Sequence, residues 1–307
     1  MPDSEDASNA PPIAVIGAGA VGTALARALV ASGHRVEAVL SRTAASAQTL
    51  ADRVGAPTSS DVVSDLPSAV RLVFVCVPDG AIASMGEALA KVDHPWPDTI
   101  VAHTSGAKTA AALAPLGDQG AATMSFHPLQ TFAPGTPPEA FEDIVVGIEG
   151  DDRAAVAGET LARALGAQPL RLTPDEKARY HCAAALASNG LVALLAVVEE
   201  VLPTSEPGAE PPSSVTDLVG PLVEQTWTNL DQGSPEGVLT GPVARGDEDT
   251  IRAHLDALAD ETPHLVPLYT ALSTEMVRVA VRGGHLSPVQ ADGLLDMLRT
   301  AADATTE

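Results

Sequence analysis

The chain has 307 residues, 45% of them hydrophobic but only 3% aromatic, and carries 40 acidic against 17 basic residues. A formal charge of −23 repels nucleic acid and anionic lipid, so neither is expected as a partner. The length suits two domains, whose cores must be built largely from Ala, Val and Leu. So acidic a surface suits solubility at high salt, where the Debye length shrinks to about 3 Å near 1 M. A halophilic source is expected; an acidic protein from a GC-rich genome is the alternative. Cys76 and Cys182 fall in apolar runs and offer no disulfide framework.

Residues 1–10 are polar and acidic and read as a disordered tail, not a leader peptide. From Pro11 short β-branched runs alternate with amphipathic runs, the pattern of a parallel sheet covered by helices. The first strand, 13–16, enters Gly17-Ala18-Gly19-Ala20-Val21-Gly22 and then a helix-forming stretch. This is the strand, glycine turn and helix start of a dinucleotide-binding unit. Gly17 permits the turn, Gly19 lets backbone approach a pyrophosphate, and Gly22 lets helix and strand pack closely. Amides at Ala20 and Val21 would face the phosphates at the helix N-terminus.

The second strand, 35–40, ends at Leu40 and Ser41, where an NAD-preferring site usually holds an acid for the ribose. Glu37 lies mid-strand and should not reach it. Ser41, Arg42 and Thr43 would instead bind a 2′-phosphate, which predicts NADP(H). The alternative is an ordinary polar strand-to-helix turn with Thr43 as the helix cap. Further strands are expected at 72–77, 99–103, 121–125, 143–148 and 168–172, with a helix near 151–165.

Ligands of such a sheet sit beyond the carboxyl ends of its strands. Three exits carry suggestive residues. Val77-Pro78-Asp79 should line the cofactor, as should His103-Thr104-Ser105. His127 should lie near the substrate. Turn chemistry is the alternative, since Asp79 and Ser105 are both good caps.

After residue 172 the strand signal disappears. Thr173 can cap a helix with Pro174 in its first position, and one long helix is expected over 174–202. Its apolar stretch 183–198 is interrupted by Ser188-Asn189-Gly190 and too short to span a bilayer. At about 100° per residue, Lys177, His181, Ala184 and Ser188 share a face, with Asn189 about 100° further round. His181 is the candidate proton donor, because an unperturbed imidazole titrates near neutrality. Lys177, Ser188 and Asn189 would orient substrate or stabilise developing charge. A solvated lysine and a core histidine are the bland alternatives. A Pro-rich loop follows at 203–214, then helices near 215–231, 248–260, 263–281 and 287–303. Asp247 reads as an N-cap, and Arg245 either binds a substrate carboxylate or pins its loop. No metal site is expected.

HTSG at 103–106, FHPLQTF at 126–132, YHCAAALASN at 180–189 and LTGPVARGD at 239–247 resemble the Rossmann-like proteins that carry a C-terminal DUF2520 domain. The wider group includes F420-dependent NADP reductases, pyrroline-5-carboxylate reductase and ketopantoate reductase. The resemblance spans residues 12–302. It implies a doubly wound Rossmann domain over 11–172 and an all-helical domain over 173–307, similar to the C-terminal domain of 6-phosphogluconate dehydrogenase. It further implies NADP(H), a small-molecule substrate and a homodimer formed through the helical domain. The function expected is a cytoplasmic NADP(H)-dependent oxidoreductase acting on a small carbonyl or imine. A ketopantoate-type 2-oxoacid reductase and a non-catalytic NADP-sensing module are the alternatives.

Overall fold

The computed structural model describes residues 11–202 and 214–304, so the expected tail and most of the Pro-rich loop lie outside the described residues. The chain divides into two units, residues 1–188 and 189–307.

The first unit is built on an eight-stranded sheet in the order β3-β2-β1-β4-β5-β6-β7-β8. The strands are β1 (Ile13–Ile16), β2 (Val36–Leu40), β3 (Thr58–Ser60) and β4 (Leu72–Val75), then β5 (Ile100–His103), β6 (Ala122–Pro128), β7 (Val145–Gly150) and β8 (Gln168–Arg171). Its helices are α1 (Ala20–Ala31), α2 (Ala44–Val54), α3 (Ile82–Leu89), the single turn α4 (Ala114–Gly117), α5 (Asp152–Ala164) and α6 (Pro174–Ala187). Alternation along the strands divides the core between the two faces of the sheet. Ile13, Val15, Phe74, Met124, Phe126 and Ile148 join Leu25, Leu29 and Leu161 on one face. Ala14, Ile16, Val73, Val75 and Val101 join Ile82, Leu89 and Trp96 on the other.

Three features depart from the sequence expectation. The edge strand β3 is three polar residues, Thr-Ser-Ser, too short to show alternation. β7 runs antiparallel to β6, with Phe126 opposite Ile148 and His127 opposite Gly147. A parallel neighbour needs a crossover long enough to carry a helix across the sheet. The link 129–144 holds only one 3₁₀ turn, Pro138–Phe141, so the chain folds straight back. The long helix is broken at Ser188, with α7 (Asn189–Val201) following.

The second unit contains α7 and α8 (Val215–Gln232), the single turns α9 (Pro235–Val238) and α10 (Pro242–Arg245), and α11 (Glu248–Glu261), α12 (Val266–Arg282) and α13 (Pro288–Ala304). Ile251, Leu255, Val266, Val277, Leu294 and Leu298 form its core. Asp247 caps α11 as expected, its carboxylate accepting from the Thr250 amide at 3.1 Å and the Thr250 hydroxyl at 2.8 Å.

Candidate active site

The glycine turn has the sterics of a ligand cradle. Gly17 sits at φ +109°, and a Cβ there would meet the Cys76 carbonyl oxygen at 2.2 Å. A Cβ on Gly22 would meet the Gly17 carbonyl at 1.9 Å. A Cβ on Gly19 would meet nothing within 4 Å. Two glycines are therefore demanded by the fold, while the third faces open space at the N-cap of α1. No side chain caps that helix and its first turn holds no acid, which leaves the amides at Ala20, Val21 and Gly22 to an anionic ligand. These groups fit a dinucleotide pyrophosphate.

At the end of β2, Arg42 is exposed and Ser41 half-buried. Arg42 makes no ion pair among the described residues, whereas Glu37 is taken up by Arg35. The Thr43 hydroxyl caps α2, accepting from the Ser46 amide at 3.3 Å, so Thr43 takes the ordinary capping role. A cavity of about 250 Å³ beside the turn is lined by Ala18, Thr23, Ser46, Thr49 and Arg53. Arg53 is a second cation there that sequence reasoning did not single out.

The chemistry-bearing residues gather on one face of the sheet because strand alternation puts them there. On β6, Met124 and Phe126 enter the core of one face, so Ser125 and His127 turn to the other. His103 on β5 and Gly147 and Glu149 on β7 share that face, and α6 lies over it.

Ser105 is the hub of the loop after β5. Its carbonyl accepts from Lys177 Nζ at 3.1 Å and from the Ser125 hydroxyl at 2.9 Å. Its hydroxyl donates to Asp79 at 2.8 Å and accepts from the amides of Ala107 and Lys108. His103 is fully buried. Its Nδ1 accepts from the Ser105 amide at 3.2 Å and its Nε2 meets the Thr109 carbonyl at 3.0 Å. Burial holds that imidazole down at about 4, so it stays neutral. His103 is thus a brace for the loop and has no ring nitrogen left for cofactor. Thr104 is half-buried beside the Cys76 thiol, while Val77 is half-buried and Pro78 exposed after β4.

Lys177 is 1% exposed, and its ammonium also donates to Ser125 Oγ at 2.6 Å. A capping box at Thr173 and Glu176 fixes the start of α6 one turn earlier. Burial draws Lys177 down to about 8, opposed by the charges of Glu149 and Asp79. Glu149, itself 5% exposed, accepts from the Ala110 amide at 2.7 Å. Lys177 therefore holds the loop from beneath and does not present its amine to a ligand. Ser125 and Glu149, both absent from the sequence expectation, complete its surroundings.

His127 and His181 face each other across Gly106, with ring centroids 6.1 Å apart. A Cβ on Gly106 would meet His181 Cδ2 at 2.6 Å and His127 Nε2 at 2.7 Å, so only glycine lets both rings come this close. His181 bonds to no protein group among the described residues. Burial, with Lys177 and His181 adding like charge, pushes His127 down to about 4. Ser188 is the half-buried C-cap of α6. Asn189, exposed, begins α7 in the other unit. Arg245, 64% exposed at its side chain, lies 4.0 Å from Asp247, the loop-pinning arrangement.

Residues 2–128 match the model of the Rossmann-like domain, and residues 144–276 match that of DUF2520, a domain of unknown function. A comparison with curated proteins finds no match. Among solved structures, the chain is similar to a candidate NADP oxidoreductase from Bacteroides fragilis. Identity is 27% over 87% of this chain and 97% of the other, with a TM-score of 0.68. It shares its fold with the reductive aminase of Aspergillus terreus in complex with NADPH and ethyl levulinate, at 17% identity over 96% and 95% of the two chains and a TM-score of 0.55. It also shares it with the prephenate dehydrogenase of Aquifex aeolicus in complex with NAD+, at 12% identity over 97% and 86% and a TM-score of 0.51.

Proposed function

The chain belongs to the Rossmann-like proteins that carry a C-terminal DUF2520 domain, and from that premise we propose that it is an NADP(H)-dependent oxidoreductase acting on a small carbonyl or imine. One observation carries the reading: the open Gly19 turn and the His127–His181 gap lie at the same carboxyl-end edge of one sheet. Gly17, Gly19 and Gly22 would admit the pyrophosphate, and Ser41 and Arg42 the 2′-phosphate. When bound, the reduced cofactor would supply hydride to the carbonyl or imine carbon. His181 gives a proton to the substrate's oxygen or nitrogen. Lys177 and Ser125 hold the Ser105 loop in place from below. The relatives bound to NADPH and to NAD+ allow either dinucleotide at the level of the fold; the choice of NADP(H) rests on Arg42.

Titration calorimetry with NADPH and NADH tests this. Arg42→Ala should weaken NADPH about 10- to 100-fold, the worth of a charge-assisted hydrogen bond, and leave NADH unchanged. Equal affinity of the native protein for both dinucleotides overturns the assignment of Arg42. Tight NADPH binding with no turnover on a panel of carbonyls and imines turns the reading into a sensor. If His181→Ala turns over an identified substrate as fast as the native protein, His181 is not the donor. A ketopantoate-type reductase would need a free cation for its substrate carboxylate. Lys177 is buried and Arg245 lies against Asp247, so nothing favours it.

The reading includes a cytoplasmic homodimer built through the helical unit and adapted to high salt. By length and composition the run 174–201 could cross a bilayer; the reading without a membrane rests on Lys177, buried against the sheet. In the helical unit, Val192, Leu222 and Trp227 are about 70% exposed. A cavity of about 570 Å³ there is lined by Leu194, Val198, Val201, Leu265 and Leu272. A second copy would cover such surface. Sedimentation velocity and thermal melts in low and molar KCl should give a dimer mass and a higher Tm in salt. A monomer ends the first proposal, and an unchanged Tm the second.

A further inference from the structure

Tyr180, first residue of the YHCAAALASN motif, belongs to the same cluster, though sequence alone assigns it no role. It stands one helical turn beyond Lys177, and its ring is edge-on to His127 with centroids 5.6 Å apart. Its hydroxyl lies 2.9 Å from His127 Nδ1. The strand partner of His127 is Gly147. A Cβ on Gly147 would meet the Tyr180 hydroxyl at 2.8 Å, so the bare backbone at this register position makes room for the phenol. His127 Nε2 bonds to no protein group among the described residues. It points instead into the gap beside Gly106 that His181 also borders.

Which nitrogen carries the proton follows from donor and acceptor accounting. A phenol has one proton to give and can accept as well. Burial raises Tyr180 to about 12, so the phenol keeps its proton near neutral pH. If Nδ1–H of His127 donated to it, the phenol's own proton would have no acceptor among the described residues. The arrangement that pairs both Nδ1 and the phenol proton has Tyr180 O–H donating to a bare Nδ1. A neutral imidazole then keeps its single proton on Nε2.

We propose that Tyr180 is a positioning residue that locks His127 as the Nε2–H tautomer, aiming a neutral hydrogen-bond donor across Gly106 at the substrate. The proposal rests on the reductase reading and narrows its substrate. A neutral N–H fits a carbonyl oxygen or an unprotonated imine nitrogen, and rejects a protonated iminium, which has no lone pair to offer. His127 supplies a hydrogen bond and keeps its proton. The proton that completes the product comes from His181. The device resembles in logic the neutral imidazole electrophiles that polarise carbonyls elsewhere.

The tautomer is read directly by long-range ¹H–¹⁵N correlation spectra of the full chain with labelled histidine, the His127 signals being identified by their loss in His127→Gln. At pH 7 the native protein should show a bare Nδ1 and a protonated Nε2. Tyr180→Phe should shift the Nδ1 resonance and mix the tautomers, with NADPH affinity unchanged. Turnover of a carbonyl substrate should fall about tenfold, the worth of one well-placed hydrogen bond. Gly147→Ala displaces the hydroxyl without removing it and should shift Nδ1 in the same way, so the test survives misfolding of either variant. A native His127 protonated on Nδ1 or on both nitrogens overturns the proposal. So does an Nδ1 signal that neither variant moves. Failure of NADPH to bind would sink the reductase reading while leaving the tautomer result standing, so the two failures are distinguishable.

Discussion

Gly22→Ala and Gly19→Ala should both destroy dinucleotide binding, but only the first should also unsettle the fold. In Gly22→Ala the new methyl lands 1.9 Å from the Gly17 carbonyl, so α1 must move away from the turn. Forcing a methyl into packed backbone costs about 1–3 kcal/mol or more. That corresponds to a Tm lowered by several degrees and NADPH affinity reduced about 100-fold. Gly19 has φ −78° and open space where its Cβ would stand, so any residue fits the apo fold there. Its methyl would occupy the volume that the pyrophosphate needs. The apo Tm of Gly19→Ala should therefore stay within about a degree of native while NADPH affinity falls as far as in Gly22→Ala. Native affinity in Gly19→Ala would show that the dinucleotide does not cross this turn.

The second large effect lies under the site. Lys177 is held at about 8 against an ordinary 10.5, chiefly by burial. Its folded-state value is lowered, so between pH 8 and 10.5 the unfolded chain keeps a proton that the folded chain has released. Below pH 8 both states are protonated and the cost of burying the charge is present in full. As pH rises through the window that cost disappears and stability increases. A difference of 2.5 pH units corresponds to about 3 kcal/mol. Lys177→Met removes the titration at similar length. Urea unfolding at pH 8 and pH 10.5 should thus show the native protein gaining about 3 kcal/mol relative to Lys177→Met. A native-minus-variant difference that ignores pH would mean that the ammonium is solvated.

Much of the first unit is legible in the sequence. β-branched runs mark β1, β2, β4 and β5, since a strand buried on both faces must be apolar throughout. The turn from Gly17 to Gly22 is equally legible, because two of its glycines answer contacts within six residues of chain or its immediate strand neighbour. β3 is hidden because its three polar residues at the sheet edge bury too little to leave a pattern. The reversal of β7 is hidden because strand direction depends on how the link 129–144 crosses the sheet, which no local periodicity records.

The candidate site divides along the same line. Helical spacing alone puts Lys177, His181 and Ser188 on one face, and local capping chemistry alone starts the helix at Thr173. What that face meets is a matter of tertiary structure. Ser125, His127, Gly147 and Glu149 come from two strands that pair antiparallel, and only that pairing sets Gly147 opposite His127 and admits Tyr180 between helix and sheet. Polar–apolar alternation from Thr123 to His127 was the available signal for Ser125. Nothing local announces Glu149 as a neighbour of Lys177, 28 residues on. Local sequence determines backbone sterics, caps and periodicity because those interactions act within a few residues. Which nitrogen of His127 carries a proton, and whether Lys177 meets a ligand or a buried carbonyl, are decided by groups that only the closed fold brings within hydrogen-bond reach.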